Sequence, residues 1–172
     1  VLRALGPLLR AMNSYYTNRI EGQHTLPADI EKAMRQHFST NPDRAAKQRL
    51  AIAHMQTEQW AEETYARQRP QSLFAPGVVF DIHRHLYAQL SEADLETLDG
   101  EAIEPGQPRT REVTVGAHLA PPPQSLTELL DHFATRYGAL PTGETLLIGV
   151  ACAHHRLTWI HPFIDGNGRA AR

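Results

Sequence analysis

A single cysteine, Cys152, excludes an intramolecular disulfide, so a packed core must hold the chain together. Its apolar neighbours predict a buried thiol rather than a nucleophile. Excess charge of one sign is missing too. Lys and Arg number 17 and Asp and Glu 19, a net charge of -2, which excludes a broad nucleic-acid surface. No apolar run is long enough to span a membrane. The opening Val1-Leu-Arg-Ala-Leu-Gly-Pro7 lacks the plan of a signal peptide. These absences predict a cytoplasmic protein in a reducing compartment. Neither an internal repeat nor a low-complexity tract is present. The 172 residues make one domain with room for a real core.

What is present reads mainly as helix. Asn41 can cap a helix with Pro42 at its first position, and Leu50, Ala53, Thr57, Trp60 and Ala61 continue a helical stripe to about Gln68. Pro76 opens a helix carrying Val79, Ile82, His83, Leu86 and Leu90. Ser125 with Glu128 reads as a capping box before Leu129, Leu130, Phe133 and Tyr137. Thr142 is expected to start a further helix. Its run Leu146 to Ala153 also suits a buried strand, but Leu147, Val150, Ala151, His154, Thr158 and His161 extend the helical spacing beyond it. That helix is expected to be buried on nearly all sides and to deliver His161. One stretch breaks the pattern: Arg109 to Val115 alternates and is rich in β-branched residues, between Gly106-Pro108 and Gly116-Pro121. It predicts a short hairpin projecting from a helical body.

The chemistry is concentrated between His161 and Arg172. Gly166-Asn167-Gly168 suits a helix start, whose free N–H groups bind phosphates. Arg169 and Arg172, spaced i, i+3, share a face and present two guanidinium forks to a polyphosphate. Cations at a helix start oppose its dipole, so an anion is expected in the gap. Asp165 is a hard oxygen ligand placed to bridge Mg2+ to phosphate. His161 can take a proton near neutral pH, and Phe163 anchors the loop to the core. His154 and His155, with His161 and Asp165, also invite a metal-dependent phosphohydrolase. Adjacent helical residues point about 100° apart, and the further carboxylates such a site needs are missing. His155 is expected to pack or hydrogen-bond near the motif loop instead.

The whole segment, His161-Pro-Phe-Ile-Asp-Gly-Asn-Gly-Arg-Ala-Ala-Arg172, resembles the Fic family motif His-x-Phe-x-Asp/Glu-Gly-Asn-Gly-Arg-x-x-Arg at every specified position. The resemblance implies an all-α, Fic-type helical bundle with a short β-hairpin flap over the active site. It implies AMP transfer from ATP to a hydroxyl of a target protein. His161 would be the base, Asp165 would hold Mg2+, Gly166, Asn167 and Gly168 would cradle phosphates, and Arg169 and Arg172 would bind the triphosphate. The flap would be Thr110, Arg111, Glu112, Val113, Thr114 and Val115, pairing with the target backbone by strand addition. The implied partners are ATP and that docked target, without membrane or nucleic acid; a homodimer is admitted. Two alternatives stay open: removal of AMP from a modified protein by the same site, and a nucleotide-binding module without turnover.

Upstream, Thr17-Asn-Arg-Ile-Glu21-Gly22 resembles the inhibitory motif Ser/Thr-x-x-x-Glu-Gly/Asn of many Fic proteins. The resemblance implies that Glu21 pairs with Arg172 and takes the partner that the γ-phosphate needs. Residues 1–24 are then an N-terminal inhibitory segment and 25–172 a Fic core. A helix from Gly166 to Arg172 has under two turns, too few to be stable alone. The natural chain is therefore expected to continue that helix, and the chain ending at Arg172 to bind ATP weakly.

Overall fold

Asn41 starts the longest helix, accepting a hydrogen bond of 3.0 Å from the Arg44 N–H, with Pro42 at the first helical position. In this computed structural model, which describes residues 2–97, 99–140 and 143–172, that helix is α3 (Pro42–Tyr65). Before it come α1 (Leu2–Ile20) and α2 (Pro27–Met34); after it come α4 (Pro76–Tyr87), α5 (Leu126–Gly138), α6 (Glu144–Ile160) and α7 (Asn167–Ala171). Two short antiparallel strands, β1 (Thr114–Val115) and β2 (His118–Leu119), pair Thr114 with Leu119 and Val115 with His118. The expected all-α bundle with a short hairpin is what the chain forms.

Three apolar cores divide the work. Val79 of α4, Leu130 and Phe133 of α5, Ala153 and Leu157 of α6 and Phe163 of the following loop make the main one. Fully burying such a side chain contributes roughly 1.5–3 kcal/mol. Ala53, Leu86, Tyr87 and Ile103 make a second between α3 and α4, and Ile30, Ala51 and Met55 a third beneath α1 and α2. The main core and, through Ile164, the second seat the segment His161 to Arg172; the third seats α1 through Ala11 and Tyr15.

Several local expectations change. The helix α3 stops at Tyr65, where Gln68 turns back to the Tyr65 carbonyl, and α4 ends before Leu90. Ser125 caps nothing. It sits in a 3-10 turn (Pro123–Ser125) with helical backbone angles, and its hydroxyl donates to the Pro122 carbonyl at 2.8 Å. An N-cap needs extended backbone there. The start expected at Thr142 lies outside the described residues, and α6 is seen from Glu144. That helix is not buried all round. Gly149, Ala153, Leu157 and Ile160 face the core, whereas Leu147 is 74% exposed and Ile148 67%. Cys152 is exposed as well. Helices α5 and α7 cover one side of α6, and Leu147, Ile148 and Val150 on the other are exposed. The expected strand Arg109 to Val115 shrinks to two residues, because Arg109 turns inward and is buried. Gly116, at φ +59, opens the tight turn between β1 and β2.

Two buried histidines make stability depend on acidity. Burial, then Arg169 and Arg172, push His54 down to about 4. Burial also pushes His83 down to about 4, with Asp165 opposing and Arg169 and Arg84 adding to the fall. The unfolded chain takes up these protons below 6.5, the folded chain only near 4. Stability is therefore full above pH 6.5 and is lost as pH falls toward 4, by on the order of 3 kcal/mol per histidine. The melting temperature measured across this window should fall steadily, and His54→Gln should flatten the fall. A constant melting temperature from pH 7 to 4 would contradict it.

Candidate active site

His161 ends α6. Its backbone is left-handed, φ +53, and its N–H still bonds the Leu157 carbonyl at 3.0 Å. Pro162 then forbids another helical turn. Ring Nδ1 lies 3.3 Å from the Thr158 carbonyl, which can only accept, so Nδ1 carries the hydrogen and Nε2 the lone pair. Burial lowers the ring's pKa; Arg109 and His118 add to this, and the Thr158 contact and Asp165 oppose it. At neutral pH the imidazole is an uncharged base.

From Phe163 to Asn167 the loop is closed by one side chain. The Asn167 carbonyl oxygen accepts from the Phe163 N–H at 2.8 Å, and its amide donates to the Phe163 carbonyl at 2.9 Å. Asn167 is thus buried and spent on the backbone. Gly166, at φ +76, donates its N–H to Asp165 Oδ1 at 2.6 Å. Its face lies against the Tyr87 ring, where a Cβ would collide.

Asp165 is held from four directions. Tyr87 Oη donates to Oδ2 at 3.0 Å, and Arg169 Nη2 donates to the same oxygen at 2.7 Å. Burial raises the carboxyl's pKa, but Arg169, the Gly166 N–H and Tyr87 outweigh it and hold it below the usual range. Its backbone carbonyl accepts from His83 Nε2 at 3.1 Å, while His83 Nδ1 accepts the Gly106 N–H at 2.8 Å. That pairing fixes the His83 tautomer. The ring is fully buried and stacked on Phe163, centroids 3.7 Å apart. His83 and Tyr87 are i, i+4 on α4, so one helix face fixes both ends of Asp165.

Arg169 and Arg172 share a helix but have different surroundings. Arg169 is buried, its Nη2 also donating to Tyr87 Oη at 2.5 Å. Burial acts against its charge, yet Tyr87, Asp165 and Glu21 raise its pKa. Arg172 is ion-paired with Glu21. The carboxylate of Glu21 lies directly over Gly168, in the space any Cβ there would need. Glu21 reaches this spot because α1 ends sharply. The Gln23 N–H bonds the Asn18 carbonyl at 2.8 Å and the Gly22 N–H the Arg19 carbonyl at 3.1 Å, with Gly22 at φ +77. This is a Schellman end, which favours glycine at that position. Thr17 is buried one turn earlier and gives its carbonyl to the Glu21 N–H.

The hairpin stands beside His161. Arg109 Nε donates to the His161 carbonyl at 2.7 Å, and its other nitrogens reach the carbonyls of Arg111, Pro121 and Ile160. His118 Nε2 contacts the Trp159 carbonyl at 2.9 Å. Thr110, Glu112, Thr114 and Val115 are solvent-facing or half-covered. His155 is exposed, and its ring makes no hydrogen bond among the described residues. Among the described residues, no cluster of three or more His, Cys, Asp or Glu side chains could hold a metal.

Sequence reading brought together His161, Asp165, Arg172 and Glu21. It missed the parts played by His83, Tyr87 and Arg109. The first two carried a faint signal, polar-tipped rings one turn apart on an otherwise apolar face. Arg109 carried none.

A model of the Fic/DOC family matches residues 74–172, from just before α4 to the motif. The protein adenylyltransferase Fic of Aedes aegypti is 34% identical over 98 residues, covering 55% of this chain and 17% of that protein. The protein of the same name in Drosophila ananassae is 38% identical over 73 residues, 42% of this chain and 15% of that one. The chain therefore spans a small part of the curated relatives it matches. Among solved structures, Fic-1 from C. elegans has a TM-score of 0.70 at 19% identity, over 94% of this chain and 44% of that chain. A Fic domain containing signaling protein from Bacteroides thetaiotaomicron also has 0.70 at 19%, over 99% and 62%. At such identity these two speak for the fold alone. With the full motif in place on that fold, and the family model matched over more than half its length, this chain belongs to the Fic/DOC family.

Proposed function

We propose that this site is that of a protein adenylyltransferase, moving AMP from ATP to a hydroxyl of a target protein, and that Glu21 holds it inactive. The observation that carries the reading is His161, a neutral, half-buried imidazole with Nδ1 tied back and Nε2 open. The target hydroxyl gives its proton to Nε2 as its oxygen bonds the α-phosphorus. The bond from that phosphorus to the bridging oxygen breaks, and pyrophosphate leaves with the electron pair. The names of the fly and mosquito relatives support this chemistry.

Asp165 suits Mg2+. Its carboxyl is ionised and its side chain is 43% exposed, despite its hydrogen bonds. Magnesium needs only one or two carboxylates when phosphates complete its shell. Bound there, it would offset the negative charge of the phosphates. Arg169 keeps Asp165 ionised and adds positive charge under the same phosphates, while Arg172 is the cation for the far end of the triphosphate. In the present arrangement Glu21 occupies Arg172 and covers Gly168. A nucleotide must displace that carboxylate to bind productively.

Glu21→Gly should increase incorporation from α-phosphate-labelled ATP by about tenfold or more, the worth of one charge-assisted hydrogen bond. In that background, His161→Ala should reduce it by about a hundredfold or more. Labelling that clearly occurs but responds to neither change would refute the assignment.

The pH profile tests His161 separately. Its folded pKa is below 6.5, so the base is active above that lowered value and lost as pH falls through it. The acid limb of kcat/KM should have its midpoint below 6.5 and should disappear in any residual activity of His161→Ala. An acid limb centred above 6.5 would count against His161 as the base.

A further inference from the structure

Arg109 is buried to 4% exposure and forms no ion pair among the described residues. A buried cation without a carboxylate is costly unless its donors are all used well. Here they go to backbone carbonyls, and the choice of carbonyls is informative. Two of them, Ile160 at 3.4 Å and His161 at 2.7 Å, lie at the end of α6, where the helix leaves acceptors unpaired and its dipole is negative. The other two lie in the two limbs of the hairpin: Arg111 at 2.8 Å before β1 and Pro121 at 2.5 Å after β2. The Arg109 N–H itself bonds the Pro162 carbonyl at 2.8 Å. One guanidinium therefore ties both feet of the hairpin to the backbone of the catalytic histidine and its neighbours. Farther out, His118 of β2 makes a second tie to the Trp159 carbonyl of α6. Between these ties the hairpin has little of its own to hold its position: a two-residue ladder and the Ala120 N–H on the Val113 carbonyl at 3.0 Å.

We infer that Arg109, seconded by His118, is a positioning residue that sets the height of the hairpin over His161 Nε2, and through it the place of the hydroxyl that is modified. This rests on the adenylyltransferase reading. A target strand laid along β1 or β2 inherits the position of that ladder. Its hydroxyl then meets Nε2 only while Arg109 holds the two together. Water needs no hairpin to reach the α-phosphorus. The inference thus separates two nucleophiles at one site: loosening the tie should impair transfer to protein and spare hydrolysis.

The test uses the Glu21→Gly protein with Arg109→Lys and His118→Ala added singly. Lysine keeps the charge but cannot span four carbonyls. Three quantities are read: incorporation from α-phosphate-labelled ATP into a protein extract, release of free AMP to water, and deuterium exchange of amides 113–120. With Arg109→Lys, exchange in that segment should rise and protein labelling should fall between about tenfold and a hundredfold. AMP release should fall much less than labelling, and ATP affinity by calorimetry should remain near that of the parent. His118→Ala, which removes an outer contact, should show the same pattern more weakly. Labelling and AMP release falling together, or unchanged exchange in Arg109→Lys, would overturn the inference. If Arg109→Lys does not fold, His118→Ala decides: an unaltered ratio of transfer to hydrolysis refutes it. A parent that transfers no AMP, with exchange still raised in Arg109→Lys, refutes the adenylyltransferase reading and leaves the anchorage standing.

Discussion

The last turn of α6 leaves the carbonyls of Ile160 and His161 without helical partners, and the Arg109 guanidinium takes both. The rest of the site follows from how that end is resolved. The left-handed backbone of His161 swings the chain out of the helix, Pro162 keeps it out, and the imidazole is left at the rim with Nδ1 turned back to Thr158. Had α6 run on, His161 would sit on its flank and the loop to Asn167 would not form. The same guanidinium carries the hairpin, so base and hairpin are referred to one point of backbone. Phe163 fixes that point against α4 and α5 in the main core.

The electrostatics of α7 turn on a mismatch. Two arginines near a helix start oppose the helix dipole, and their spacing called for an anion in the gap. The chain supplies its own. Asp165 compensates Arg169 from the preceding loop, and Glu21 compensates Arg172 from the end of α1. These two pairs differ in kind. The first is local, shared with Tyr87, and its arginine is buried; it holds the loop together and keeps Asp165 ionised. The second joins segments far apart in sequence and stays partly open to solvent, with Arg172 21% and Glu21 30% exposed. A pair of that sort is weak evidence for stability, and under the proposed function it is the one exchanged for a phosphate.

What could be read from the residues alone was whatever the chain keeps close together; the distant pair Glu21 and Arg172 came from the family resemblance. The order of groups from His161 to Arg172 is covalently fixed, so their meeting needed no knowledge of the fold. Asn41 and Pro42 announce the start of α3 in the same local way. His83, Tyr87 and Arg109 act on residues more than fifty positions away. Nothing beside them in the chain records it. The error over α6 has a similar origin. Apolar residues all round a helix record what it could bury, whereas burial depends on how many neighbours pack on it, and Leu147 and Ile148 are left largely exposed. Ser125 matched a capping pattern, but the 3-10 turn before it had already given its backbone helical angles.

The helix that carries Glu21 is held by polar and apolar contacts together. Against α3 it makes a ladder of polar contacts: Ser14 to the Ala51 carbonyl at 2.9 Å, Asn13 to Glu58 at 2.8 Å and Arg10 to Glu62 at 2.8 Å. Only the first of these is buried. Exposed contacts of the other two kinds are worth roughly 0–1 kcal/mol each, since water replaces what is lost. The apolar side of the same seam, Ala11 and Tyr15 against Ile30, Ala51 and Met55, has no such replacement and costs about 25 cal/mol per Å2 to separate. Meanwhile the Schellman end at Gly22 makes Glu21 rigid with respect to α1. Under the proposed function α1 is therefore the element that fixes where Glu21 sits, and exchange of the Glu21–Arg172 pair need not separate that helix from α3.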